Sequence, residues 1–231
     1  MPVGVSDISI VGKGIYPVPE AARLAKVTPR RIRYWLGRRD SEISKSTQSS
    51  GLWFGQHEPI DDKFVLGFLD LQEARFVDAF LKAGVTWRML RRAHEMAKRR
   101  YGTEHPFCTR RFTTDGSQII EMARRGSRLE WEETARGQTV FPAVVAPFLK
   151  QLEFAEDGGL VRWWPLGNRR RVVLDPGRQF GQPIVPKAGV RTEVLFLAVK
   201  AGASDREVAQ WFDVEVEDVR DAVEFEQNLA A

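Results

Sequence analysis

The sequence predicts a mainly helical α+β protein. Three observations carry that prediction. Residues 17–37 hold two short stretches of helix-forming residues broken by a sharp turn signal. Apolar residues recur at helical spacing after Asp70 and again after Thr192. Between them lie short segments punctuated by Gly and Pro that alternate weakly, as strands do.

Taken in order, residues 1–15 form a Gly- and Val-rich arm. Two short helices follow within 17–37, then a Ser-, Thr-, Arg- and Gly-rich loop at 38–51. Residues 52–69 predict a β-hairpin with Trp53-Phe54 and Phe64–Phe68 as its strands. Asp70 and Glu73 read as a capping box opening a helix to Gly84, and Thr86 caps a second helix to about Arg100. Asp115-Gly116 suggests a hairpin turn between Arg111-Phe112-Thr113 and Gln118-Ile119-Ile120. Residues 139–152 suit a helix, with Pro147 predicting a kink or break inside it. Strands are expected at Val161–Trp164 and Arg171–Leu174. A three-helix segment closes the chain: Thr192–Ala201, apolar nearly all round and so expected to be central; a helix capped by Ser204 and Glu207 with Val208, Trp211 and Phe212 inward; and a last helix from about Val216.

Charge is unevenly spread. The net charge is +4, but residues 192–231 carry three basic and ten acidic side chains, a net of −7, which leaves +11 on residues 1–191. A basic body with an acidic end suggests two partners of opposite sign. No apolar run approaches the roughly 20 residues of a membrane span. Cys108 stands alone, so an intramolecular disulfide is impossible, and with no signal-peptide pattern at the start the reading is a reducing cytoplasm.

The first 20 residues after Tyr16 contain the sharpest local signal. Ala21, Ala22, Leu24 and Ala25 are small or apolar and let a second helix pack closely; Val27 plugs the turn. Thr28 suits an N-cap and Pro29 the first helical position. In the second helix Ile32, Trp35 and Leu36 share one face, while Arg30 and Tyr34 point the other way with Arg31 and Arg33 beside them. A stiff helix presenting arginines and a tyrosine outward suits phosphate contact and base reading in a major groove.

Tyr16, Glu20, Ala22, Arg23, Leu24, Val27, Thr28-Pro29-Arg30 and Ile32-Arg33-Tyr34-Trp35 together resemble the MerR family of transcription regulators. Lys26 stands where that family usually has glycine. The resemblance implies a winged helix-turn-helix DNA-binding domain over 16–101, with a wing at 50–68 and further helices at 70–82 and 86–100. Its expected DNA contacts are Thr28, Arg30, Arg31, Arg33, Tyr34 and Arg38, made by a homodimer on double-stranded operator DNA.

Residues 102–171 read as a connecting strand and helix region, and 172–231 as a final domain. From Val172 onward, Gly181-Gln182-Pro183, Gly202-Ala203-Ser204 and the Val219–Phe225 helix resemble the antitoxin-associated domain that accompanies PIN-like toxins. The whole order is similar to long VapB-type antitoxins, which implies a chain that silences a PIN-like ribonuclease and represses its own operon. Such nucleases carry acidic, metal-holding clusters, which an inserted arginine would pair with. The stretch Arg162, Trp163, Trp164, Arg169, Arg170, Arg171 and Arg178 mixes the residue types typical of interface hot spots and is the expected toxin-binding surface. An alternative is a MerR-like regulator that senses a small ligand in its C-terminal half.

Catalysis is not expected. The chain has no Gly-rich phosphate loop, no Ser/His/Asp arrangement and no metal-ligand spacing, so neither cofactor nor metal is anticipated. His94 and His105 are read as structural.

Overall fold

The computed structural model describes residues 12–37, 51–60, 63–125 and 137–230. It is α+β and mainly helical, as the sequence predicts. Two short helices, α1 (Val18–Ala25) and α2 (Pro29–Trp35), are joined by a three-residue turn. Thr28 caps α2 by accepting the Arg31 N–H at 3.4 Å, and Pro29 begins it. Lys26 takes the left-handed conformation, with φ +54°, that glycine serves more cheaply.

The expected hairpin over 52–69 forms differently. Its arms meet only at an Ile60–Lys63 bridge among the described residues. Strand β3 (Trp53–Phe54) instead pairs in parallel with β2 (Leu36–Gly37), and β4 (Val65–Leu66) pairs antiparallel with β1 (Tyr16–Pro17). The segment is thus laced to both ends of the α1–α2 pair rather than to itself. Phe68 belongs to the next helix, not to a strand.

Helix α3 (Phe68–Lys82) starts three residues earlier than a cap at Asp70 predicts. Gly67 is its N-cap, and the Gly67 N–H donates to Asp70 at 2.8 Å. Asp70 therefore sits inside the first turn, and Glu73 faces the core. Helix α4 (Trp87–Tyr101) is capped by Thr86 and stopped by Gly102 at φ +68°.

The hairpin predicted at Asp115-Gly116 is overturned: α5 (Arg110–Arg125) runs straight through it. Phe112, Ile119, Ile120 and Ala123 are buried at helical spacing, and that burial outweighs the turn preference of one dipeptide. Gly116 is there for space, since a Cβ would lie 2.4 Å from the Phe141 ring. Alanine for glycine inside a helix ordinarily gains about 1 kcal/mol. Here Gly116→Ala is expected to lower the urea midpoint, because overpacking costs about 1–3 kcal/mol.

Helix α6 (Gly137–Leu149) contains both Pro142 and Pro147, and is one helix where a kink or break is predicted. A four-stranded antiparallel sheet follows in the order β5 (Leu152–Phe154), β6 (Leu160–Trp163), β7 (Val173–Leu174) and β8 (Pro183–Ile184). Helices α7 (Thr192–Lys200), α8 (Asp205–Phe212) and α9 (Val216–Ala230) close the chain, α8 behind the predicted Ser204–Glu207 capping box.

One hydrophobic core runs from Tyr16 through Phe80, Phe112 and Phe141 to Trp163, Leu174 and Phe225. A second, smaller core joins Val185, Leu195, Val208, Val219 and Ala222. Helix α7 is less central than its composition suggests. Only Thr192 and Leu195 are buried, while Val194 and Leu197 face outward. Trp211, expected on the inner face of α8, is 63% exposed. Residues 15 and 16 are pinned to a later part of the chain: Ile15 N–H donates to Phe180 O at 2.9 Å, and Tyr16 Oη donates to Gly181 O at 2.6 Å. No helix among the described residues is long and apolar enough to cross a membrane.

Candidate nucleic-acid and partner interfaces

Helix α2 presents its residues in the order the sequence implies. Ile32 and Trp35 are buried, whereas Thr28, Arg30, Arg33 and Tyr34 are exposed. Tyr34, 63% exposed, leans on Trp87 of α4 with ring centroids 5.3 Å apart. Arg91 lies one turn further along the same face of α4 as Trp87. Arg88, Arg91 and Arg92 are exposed there. Arg30 and Arg33 meet no carboxylate among the described residues.

Arg31 differs. It is half-buried, it donates to Asp78 on α3 at 2.8 Å, and its guanidinium lies 5.1 Å from the Trp35 ring. It ties α2 to α3. Arg38 lies outside the described residues.

Behind this face is a buried polar cluster that the sequence reading does not foresee. Asp70 is fully buried and accepts from Trp53 Nε1 at 3.0 Å, Gln56 N at 2.9 Å and Gly67 N at 2.8 Å. His105 Nε2 lies 2.6 Å from the same carboxylate. Glu73 meets His94 Nε2 at 2.9 Å and the Phe107 N–H at 3.2 Å. The cluster thus joins the 53–67 segment to α3, α4 and the turn at 105–108. Burial works against charge on His105, but its hydrogen bond to Asp70 and the negative charges of Asp70, Glu73 and Glu104 outweigh it, so its pKa is raised. Burial also pushes the Cys108 thiol well above its ordinary range, which favours the neutral thiol.

The expected toxin-binding stretch is largely spent inside the molecule. Trp163 and Trp164 are buried. Trp163 lies under the Arg75 guanidinium at 3.8 Å, and Trp164 Nε1 donates to Glu153 at 2.9 Å. Arg162 bridges Glu153 and Asp175 at 2.7 and 2.9 Å. Arg169 holds Asp221 and Glu224 at 2.8 and 2.6 Å, and Arg171 holds Glu215 and Asp218 at 2.9 and 2.7 Å. The basic body and the acidic end therefore answer each other at this junction. Arg178 is half-buried. Arg170 is different: exposed, left-handed at φ +49°, its guanidinium 5.1 Å from the Trp164 ring, and it meets no carboxylate among the described residues. On the last three helices the exposed large apolar side chains among the described residues are Val194, Leu197 and Trp211, and Phe180 is exposed before them.

A curated protein of Mycobacterium tuberculosis strain H37Rv, named "Putative antitoxin VapB45", is 26% identical over 223 residues, spanning 91% of this chain and 92% of that one. The chain is similar to an antitoxin. Residues 172–225 also match the family model described as "Protein of unknown function (DUF433)". The X-ray crystal structure of Rv2018 from Mycobacterium tuberculosis has a TM-score of 0.69 at 24% identity, covering 90% of this chain and 96% of that one. The fold is therefore one already seen in a solved protein, and it extends over nearly the whole of both chains.

Proposed function

We propose that this chain is a non-enzymatic antitoxin that binds a PIN-like ribonuclease toxin and represses its own operon as a homodimer on operator DNA. The single observation that carries the antitoxin reading is similarity to a named antitoxin across nine-tenths of both chains. The DNA reading rests on α2: a capped helix that turns Arg30, Arg33 and Tyr34 to solvent while its other face is in the core. The helix pair and the segment laced to it serve as helix-turn-helix and wing, within a DNA-binding unit at 16–101.

For the toxin, the geometry shifts the weight from the tryptophans to two other features. Arg170 offers an exposed guanidinium that no described carboxylate holds, at a tight turn, suited to an acidic cluster. Val194, Leu197 and Trp211 offer an apolar anchor on the C-terminal helices.

Co-expression with the protein encoded beside it tests the first claim. Relief of toxicity and co-purification are expected, and failure of both ends the antitoxin reading. For the second claim, the Arg30→Ala/Arg33→Ala double variant is titrated into the upstream DNA at two salt concentrations. Its affinity should fall, and the slope of log K against log salt should flatten by about two per protomer, or about four for the homodimer. An unchanged slope removes α2 from the duplex.

A further inference from the structure

A cleft of about 380 Å³ opens between α1, α3, the α6–β5 corner, β6 and the end of α9. Its walls are mostly apolar and include Leu24, Phe148, Trp163, Leu166, Phe225 and Leu229. The volume falls in the range of small-molecule sites.

Arg75 of α3 lines this cleft. Its guanidinium carbon lies 3.8 Å from the Trp163 ring centroid and 4.8 Å from that of Phe148. Its hydrogen bonds go to two neutral carboxamide oxygens, Gln72 Oε1 at 2.5 Å and Gln151 Oε1 at 2.9 Å. No carboxylate pairs with it among the described residues. Asp78 also lines the cleft, but it already holds Arg31 at 2.8 Å and Lys82 at 2.7 Å. Arg31, Arg162 and Arg171, half-buried as Arg75 is, each hold a carboxylate, while half-buried Arg178 meets none among the described residues and lines no part of this cleft. Burial without a counter-ion draws Arg75 down to about 9, so it still carries its charge at neutral pH. Lys26 and Lys82 stand exposed at the rim and add to the positive potential.

A sequestered cation normally has an anion beside it. The chain supplies none to Arg75, and the cleft has room for one with an apolar body. We propose that this cleft is a binding site for a small planar organic anion of the aromatic carboxylate class. Its carboxylate meets the free N–H groups of Arg75, and its ring lies against Leu24, Leu166 and Leu229. The site is lined by none of Arg30, Arg33, Arg170 and Trp211, and joins the helices that carry α2 to the last helix of the chain.

Benzoate is titrated calorimetrically into the full chain, with benzyl alcohol and inorganic phosphate as comparisons. Saturable one-to-one binding of benzoate is expected. Benzyl alcohol, which lacks the charge, and phosphate, which lacks the ring, should each bind at least about tenfold more weakly. Arg75→Met should lose about tenfold or more in benzoate affinity while leaving benzyl alcohol unchanged. Leu229→Trp, which fills the mouth without touching the charge, should abolish benzoate binding in a chain with an unaltered circular dichroism spectrum. Benzoate binding no tighter than benzyl alcohol overturns the proposal, as does unsaturable binding. So does unchanged affinity in the folded Leu229→Trp chain, which keeps the test open should Arg75→Met not fold.

Discussion

Asp70→Ala is expected to destabilise the fold by about 3–5 kcal/mol. The carboxylate is fully buried and takes hydrogen bonds from Trp53, Gln56 and Gly67, with His105 2.6 Å away. Removing it leaves three N–H groups and an imidazole in a dry interior with nothing to replace water. Urea unfolding followed by circular dichroism measures the loss. The same cluster sets a pH dependence. His105 has a folded-state pKa above its ordinary value. Its stabilising contribution is therefore complete below an unfolded value of about 6.5 and fades as pH rises through the higher folded value. In Asp70→Ala this fall with rising pH should flatten. An Asp70→Ala chain as stable as the parent, with the same pH profile, would show that the cluster contributes nothing.

Phe112→Ala should cost about 3–5 kcal/mol. Phe112 is fully buried and stacks on Phe107 at 4.4 Å between ring centroids. It also meets Phe76, Phe80 and Phe141 edge-on at 6.4, 6.1 and 5.4 Å. Those rings come from α3, α5, α6 and the 106–108 turn, so the cavity would open where four elements converge. Neighbouring aromatic rings are rigid and relax into such a void only in part, which places the cost toward the upper end. The thermal midpoint measures it; a shift no larger than a surface substitution gives would contradict the packing described.

The sequence was most readable where the decisive partners are near neighbours. Thr28-Pro29 starts α2, and Ser204 with Glu207 starts α8, because a cap is completed within four residues. It was least readable where the partner is remote. Trp163 and Trp164 beside arginines look like an interface, but Arg75 and Glu153 claim them, and neither is adjacent in the chain. Arg169 and Arg171 find their carboxylates more than forty residues later. Asp115-Gly116 misleads for another reason: a glycine kept for clearance against Phe141 looks the same as one kept for a turn. The spacing of Phe112, Ile119 and Ala123 was the signal that could have separated the two. Nothing local marks Asp70 as the centre of a buried cluster or Arg75 as a cation without an anion, since both properties arise only on packing.

Strand β7 lies between β6 and β8, and Val172, Leu174 and Phe225 reach into the main core rather than the smaller one. The piece that matches a family model, 172–225, thus shares a sheet and a core with residues that precede it. Excised on its own, it would present a bare strand edge and an uncovered apolar seam, both prone to self-association. A piece that keeps the sheet whole is longer: it begins no later than β5, so that all four strands travel together.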